Sequence, residues 1–231
     1  MKFETIPFEN VKEVLSNYLM KFYHGNFEGL KKHIFLNIPK SLYNELKNRP
    51  IGDKELRELL SKFDNDLAEK EILKIERLWK ENEKKILEEI KNLTGLSIST
   101  ESISCRINPY TNHGFYGENN ISLGIGGGIT EDDSLMVISH ELFHIFYWRR
   151  LHELKITRSE LGKEEIWEWA LAEVTNYLLQ REDSMIKFWP TSKHVLYPQI
   201  KEVYDKTSPL WKKENFDDYL IKSYELLRNG K

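Results

Sequence analysis

Between Leu135 and Trp148 the chain reads LMVISHELFHIFYW, and on a helical wheel at about 100° per residue its apolar side chains surround the axis. Leu135, Ile138 and Leu142 cover one side, Val137 and Trp148 another, and Met136, Phe143 and Tyr147 a third. A helix with no polar face is stable only inside other layers, so the rest of the chain has to enclose it. With 231 residues, 40% of them hydrophobic, there is enough chain to do this around one substantial core. Ser139, His140, Glu141 and His144 are the only polar side chains of the stretch, and buried polar groups need partners.

His140 and His144 stand one turn apart, about 40° round the axis, so both imidazoles can meet one ion. Glu141 lies about 100° from His140 and can flank that ion without ligating it. This HExxH arrangement suits zinc: two neutral nitrogen ligands, an open position for water, and a carboxylate to take the water's proton. One metal explains both histidines together, whereas a purely structural role requires a separate partner for each.

Catalytic zinc takes three protein ligands, so a third is expected downstream. The HExxHxxGxxH continuation is absent, because positions 147 and 150 are Tyr and Arg. The next helical stretch, Glu164 to Arg181, reads EEIWEWALAEVTNYLLQR. On its wheel Glu173 falls inside the apolar arc near Ile166, Trp169, Ala170 and Tyr177, where a carboxylate requires a cation. Glu168 falls on the opposite side with Glu164 and Thr175, where water suffices. Glu173 is therefore the favoured third ligand, ahead of Glu168, Glu164 and Glu165, and an ion pair with Arg149 or Arg150 is its structural alternative. Asn176, three residues on, is placed to fix a liganding group by a hydrogen bond.

The fold class expected is α+β, mostly helical, with a small antiparallel sheet beside the HExxH helix and the glutamate helix. Residues 1–95 read as a helical N-terminal part whose clearest element is a charged helix from about Asp64 to Leu93, stopped by Gly95 and packed on the same protein. Residues 96–181 hold the sheet and the two helices just described. Ile103, Cys105 and Ile107, then Ile121, Leu123 and Ile125, alternate with polar residues as strands do. Residues 182–231 read as a helical C-terminal part, the whole of 1–231 forming a single domain. The glycines of GIGGG, 124 to 128, lack the GxGxxG spacing and precede Glu131, Asp132 and Asp133, which repel anions; they read as a strand-to-helix connection with Thr130 as N-cap.

Lys plus Arg (34) nearly balance Asp plus Glu (37), so no global field points to nucleic acid or an acidic membrane surface. A lone cysteine, Cys105, excludes an internal disulfide framework and a multi-cysteine zinc cluster, and fits a reducing compartment. The longest strongly apolar run is shorter than a bilayer span, and MKFETIPFENVKEV lacks the apolar stretch of a secretory signal. The expectation is a soluble, cytoplasmic protein.

His140-Glu141-Leu142-Phe143-His144, followed by a helix bearing Glu173 with Asn176 three residues on, resembles the gluzincin metallopeptidases over about residues 96 to 181. Neither NExxSD nor GxMEN occurs. The resemblance implies a zincin-like domain, Zn2+ held by His140, His144 and Glu173, Glu141 as general base, and a peptide or protein substrate. It also implies an edge strand lining the cleft, for which Asn120 to Ile125 is the candidate, and a His or Tyr from the C-terminal part that donates to the oxyanion. His194 is the first candidate for that donor, with Tyr197 and Tyr177 beside it. Tyr147, Trp169 and Tyr177 are available either for an apolar subsite or for the core. The alternative reading is a non-catalytic zinc-binding regulatory or interaction domain with a degenerate or self-covered site, which would close the coordination sphere with a fourth protein ligand.

Overall fold

The computed structural model describes residues 1–23, 25–62, 65–156, 165–192, 195–211 and 215–229. Ten α-helices and four strands occur among them: β1 (Lys2–Thr5), α1 (Phe8–Asn17), α2 (Phe27–Lys31), α3 (Lys40–Leu46), α4 (Asp53–Leu60), α5 (Asn65–Thr94), β2 (Ser104–Asn108), β3 (Gly114–Tyr116), β4 (Asn120–Gly124), α6 (Glu131–Glu153), α7 (Ile166–Gln180), α8 (Asp183–Ile186), α9 (Lys201–Thr207) and α10 (Phe216–Asn229). The chain is thus α+β and mostly helical. No helix among the described residues is long and apolar enough to cross a membrane.

The sheet is mixed, in the order β1-β2-β4-β3, and this corrects the antiparallel sheet expected from the sequence. β1 pairs parallel with β2, and β2 parallel with β4; only β3 and β4 are antiparallel. The reason is the path between the two alternating stretches. After β2 the chain travels past the place β4 will occupy, returns as β3, turns at Gly117 and inserts β4 between β2 and β3. Alternation of buried residues is the same in parallel and antiparallel strands, so Cys105, Ile107, Ile121 and Leu123 bury one face either way. β1 has only four residues and shows no burial alternation of its own.

That buried face packs against α6, and Ile75, Trp79, Ile86 and Ile90 of α5 join the same core. The long charged helix therefore packs on its own chain, and it ends where Gly95 takes φ +73° and returns its N–H to the Lys91 carbonyl (2.7 Å). α7 and α10 complete the enclosure of α6. Residues from Ile6 to Leu59 form a second apolar cluster, tied to the sheet region by the Phe35 N–H, which donates to the Tyr110 carbonyl (2.9 Å). The glycines before α6 serve this junction. A Cβ at Gly126 would stand 2.3 Å from the Phe35 ring, and Gly127 and Gly128 both take positive φ. Thr130 caps α6, its hydroxyl accepting from the Asp133 N–H (3.0 Å).

Candidate metal centre

α6 is buried along most of its length, as an all-round apolar helix requires. Two of its polar side chains look out through one opening, toward α7. His140 and His144 bring their Nε2 atoms to 3.0 Å from each other. Glu173 reaches across from α7 with one oxygen for each ring: Oε2 lies 3.4 Å from His140 Nε2, and Oε1 lies 3.3 Å from His144 Nε2. The three residues form the single cluster of potential ligands found among the described residues, with their donor atoms within 4.8 Å of one another.

The donor set fits a divalent ion. Two ring nitrogens 3.0 Å apart cannot both present bare lone pairs unless a cation or proton lies between them. Ligands about 2.1 Å from a tetrahedral zinc stand about 3.4 Å from each other, close to the spacings observed here. The Glu173 side chain is only 10% exposed. Burial alone would raise its pKa, but the two imidazoles beside it, His140 and His144, outweigh this and hold the carboxyl well below the usual carboxylate range.

Glu141 points into the same cleft and stays outside the ligand cluster. Burial pushes its pKa up to about 7, assisted by the Glu173 carboxylate and opposed by His140. Its carboxylate lies against the backbone of β3: a Cβ at Gly114 would stand 2.3 Å from Glu141 Oε1 and 2.9 Å from Val137 Cγ1. Tyr116, two residues along β3 and on the same face, stacks on the His144 ring with centroids 4.5 Å apart and planes 19° apart. Its hydroxyl accepts from Trp148 Nε1 (3.0 Å), so the ring that backs His144 is anchored one turn further along α6. The cleft has a volume of about 590 Å³ and is lined by β3, by the inward side chains of α6, by Trp169 and Glu173 of α7 and by Tyr197.

Several sequence-based expectations change here. The cleft-lining edge strand is β3, Gly114 to Tyr116, not Asn120 to Ile125, because β4 is sandwiched between β2 and β3. Glu168 does not face water: α10 covers it, Tyr224 donates its hydroxyl to Oε1, and Oε2 accepts from the Glu165 N–H (2.7 Å). Its carboxylate thus caps α7 and bonds α10. Arg149 and Arg150 are engaged elsewhere, the first with the Glu118 carbonyl (3.1 Å) and Asn119 Oδ1 (2.9 Å), the second with Asp217 and Glu153. Tyr147 is fully buried in the core, and Tyr177 packs edge-on against Tyr204. Tyr197 does line the cleft, with 45% of its surface still exposed; its partial burial raises its pKa, and the carboxylates of Glu173 and Glu141 add to the effect. His194 and Glu164 lie outside the described residues.

Asn176 donates to the His140 backbone carbonyl (2.8 Å) rather than to a liganding side chain. Gly114, Tyr116 and Gln180 also border the cluster, and no motif in the sequence marks them. For Gln180 a signal existed, since it lies four residues beyond Asn176 and seven beyond Glu173, on the same helical face. In comparisons with protein families, curated proteins and solved structures, nothing matches this chain.

Proposed function

We propose that the chain is a zinc-dependent metallopeptidase of the gluzincin type, with a zincin-like core formed by β3, α6 and α7. The observation that carries this reading is the convergence of His140, His144 and Glu173 at tetrahedral spacing, with Glu141 beside them in the same cleft. His140 Nε2, His144 Nε2 and a Glu173 oxygen would hold the ion. When bound, zinc supplies Lewis acidity, polarising a peptide carbonyl and bringing the pKa of a water to about 7.

The chain's own residues do the rest. Glu141 accepts the proton of the attacking water on a carboxylate oxygen and passes it to the leaving amine. Gly114 to Tyr116, at the edge of the sheet, offers main-chain groups to an extended peptide. Tyr197, which lines the same cleft, would donate a hydrogen bond to the carbonyl oxygen as charge develops there. Trp169, Met136 and Val137 limit the water around the scissile bond.

The regulatory alternative requires a fourth protein ligand. Among the described residues the cluster has three members, and the cleft beside it has room for a substrate segment, which favours the enzyme. The test is zinc content together with cleavage of a peptide library, comparing wild type with Glu141→Ala. The expected result is stoichiometric zinc in both proteins and hydrolysis only in the wild type. Equal behaviour of the two on every peptide would remove the peptidase assignment.

A further inference from the structure

α6 and α7 run antiparallel and are fastened by two amides at matching spacing. Asn176 Nδ2 donates to the His140 carbonyl (2.8 Å), and Gln180 Nε2 donates to the Met136 carbonyl (2.9 Å). Both amides are buried, and both carbonyls lie within α6, four residues apart, where each has a second lone pair to offer after its intrahelical bond. These two rungs set the register of one helix on the other, and Glu173 takes its position opposite the histidines from that register.

Gln180 also touches a ligand. A backbone carbonyl only accepts, so the Gln180 atom facing Met136 is the nitrogen, and the orientation of the amide follows without ambiguity. Its oxygen is the atom 3.4 Å from His140 Nδ1. An amide oxygen likewise only accepts, so this long contact is a hydrogen bond only when His140 carries its proton on Nδ1. Nε2 is then a bare lone pair, and Nε2 is the atom that faces Glu173 and His144. His144 has no equivalent: its Nδ1 is buried without a hydrogen-bond partner, and Tyr116 stacks on that ring.

We propose that Gln180 is a positioning residue that keeps His140 in the Nδ1–H tautomer and so presents Nε2 to a divalent ion before the ion arrives. The inference rests on the metal-centre reading above and adds to it the part that selects the tautomer. Outer partners of liganding imidazoles typically change metal affinity 10- to 100-fold when removed.

Two measurements on the full chain test it. Nitrogen-15 spectra of the metal-free wild type should show His140 protonated on Nδ1, and Gln180→Met should lose that preference. Competition with a chromophoric chelator should show zinc affinity falling roughly 10- to 100-fold in Gln180→Met. Gln180→Glu, which still accepts from Nδ1–H but cannot donate to Met136, should keep both the tautomer and an affinity within about threefold of wild type or tighter, on the same reasoning. An Nε2–H tautomer in the wild type overturns the proposal, as does a Gln180→Glu protein that behaves like Gln180→Met, since the rung to Met136 would then be what matters. Wild-type uptake of zinc with unchanged affinity in Gln180→Met removes the role of Gln180 and leaves the metal centre standing, whereas no uptake by the wild type removes both.

Discussion

Glu141 and Gly114 are in contact so close that a Cβ at position 114 would stand 2.3 Å from the Glu141 carboxylate oxygen. The general base proposed here therefore takes its position from a strand residue that has no side chain. Gly114→Ala should displace the Glu141 carboxylate while leaving the three ligands in place. Peptide hydrolysis is expected to fall at least ~10-fold, toward the 10²-fold or greater loss typical of a missing general base, with zinc affinity unchanged. Hydrolysis equal to wild type in a zinc-loaded Gly114→Ala protein would show that the contact has no catalytic consequence.

Zinc bound to the folded chain alone should raise stability by mass action. At a free concentration of about a thousand times Kd the gain is about 4 kcal/mol. Stripping the metal with a chelator should lower the Tm of the wild type by several degrees. Glu173→Ala, which removes the carboxylate shared by both imidazoles, should melt at one temperature with and without chelator. A chelator-sensitive Tm in that variant would locate the ion elsewhere.

Tyr224 and Glu168 provide a contrasting case, a buried carboxylate that is structural. Tyr224→Phe removes a hydrogen bond to the buried Glu168 carboxylate, at a cost of roughly 1–3 kcal/mol. Urea unfolding should show this loss, and zinc affinity should not move. A fall in zinc affinity would mean that Glu168 communicates with the metal centre.

His113, beside the cleft, stacks on His33 with centroids 4.7 Å apart and lies 5.6 Å from Tyr18. Burial, then the His33 charge, pushes its pKa down from 6.5 to about 4. Between those values the unfolded chain binds a proton that the folded chain refuses. This contribution to stability is therefore complete above about pH 6.5 and is lost as the pH falls toward 4. Because the ring is partly exposed, solvent screening reduces the effect to on the order of 2 kcal/mol. His113→Phe keeps the stacking and removes the titration, so its urea midpoint should fall less than the wild type's between pH 7 and 4.5. Equal slopes would assign the acid sensitivity to other groups.

The legible parts of this protein were those written in local periodicity. The enclosure of α6 follows from its apolar circumference, and the facing of His140 and His144 follows from four residues making slightly more than one turn. Glu173 is buried as its place in the apolar arc implies, but of that arc only Ala170 is buried with it: Trp169 is half-buried at the cleft and Ile166 is 84% exposed. Glu168 departs from its wheel position for the complementary reason. A wheel of α7 has no information on α10, and it is α10, arriving from the end of the chain, that buries Glu168 and supplies Tyr224 as its partner.

What the sequence determined by itself is the pair of helical faces that carry the histidines, the carboxylate of Glu141 and Glu173, since residues three and four apart share a face whatever surrounds the helix. The tertiary structure alone decided which strand borders the cleft, which glycine admits Glu141, and which amide orients His140. Those relationships join segments far apart in the chain, and strand alternation reads the same in parallel and antiparallel pairs. Only the packing of β3 and α7 onto α6 selects one register from the many that local pattern allows.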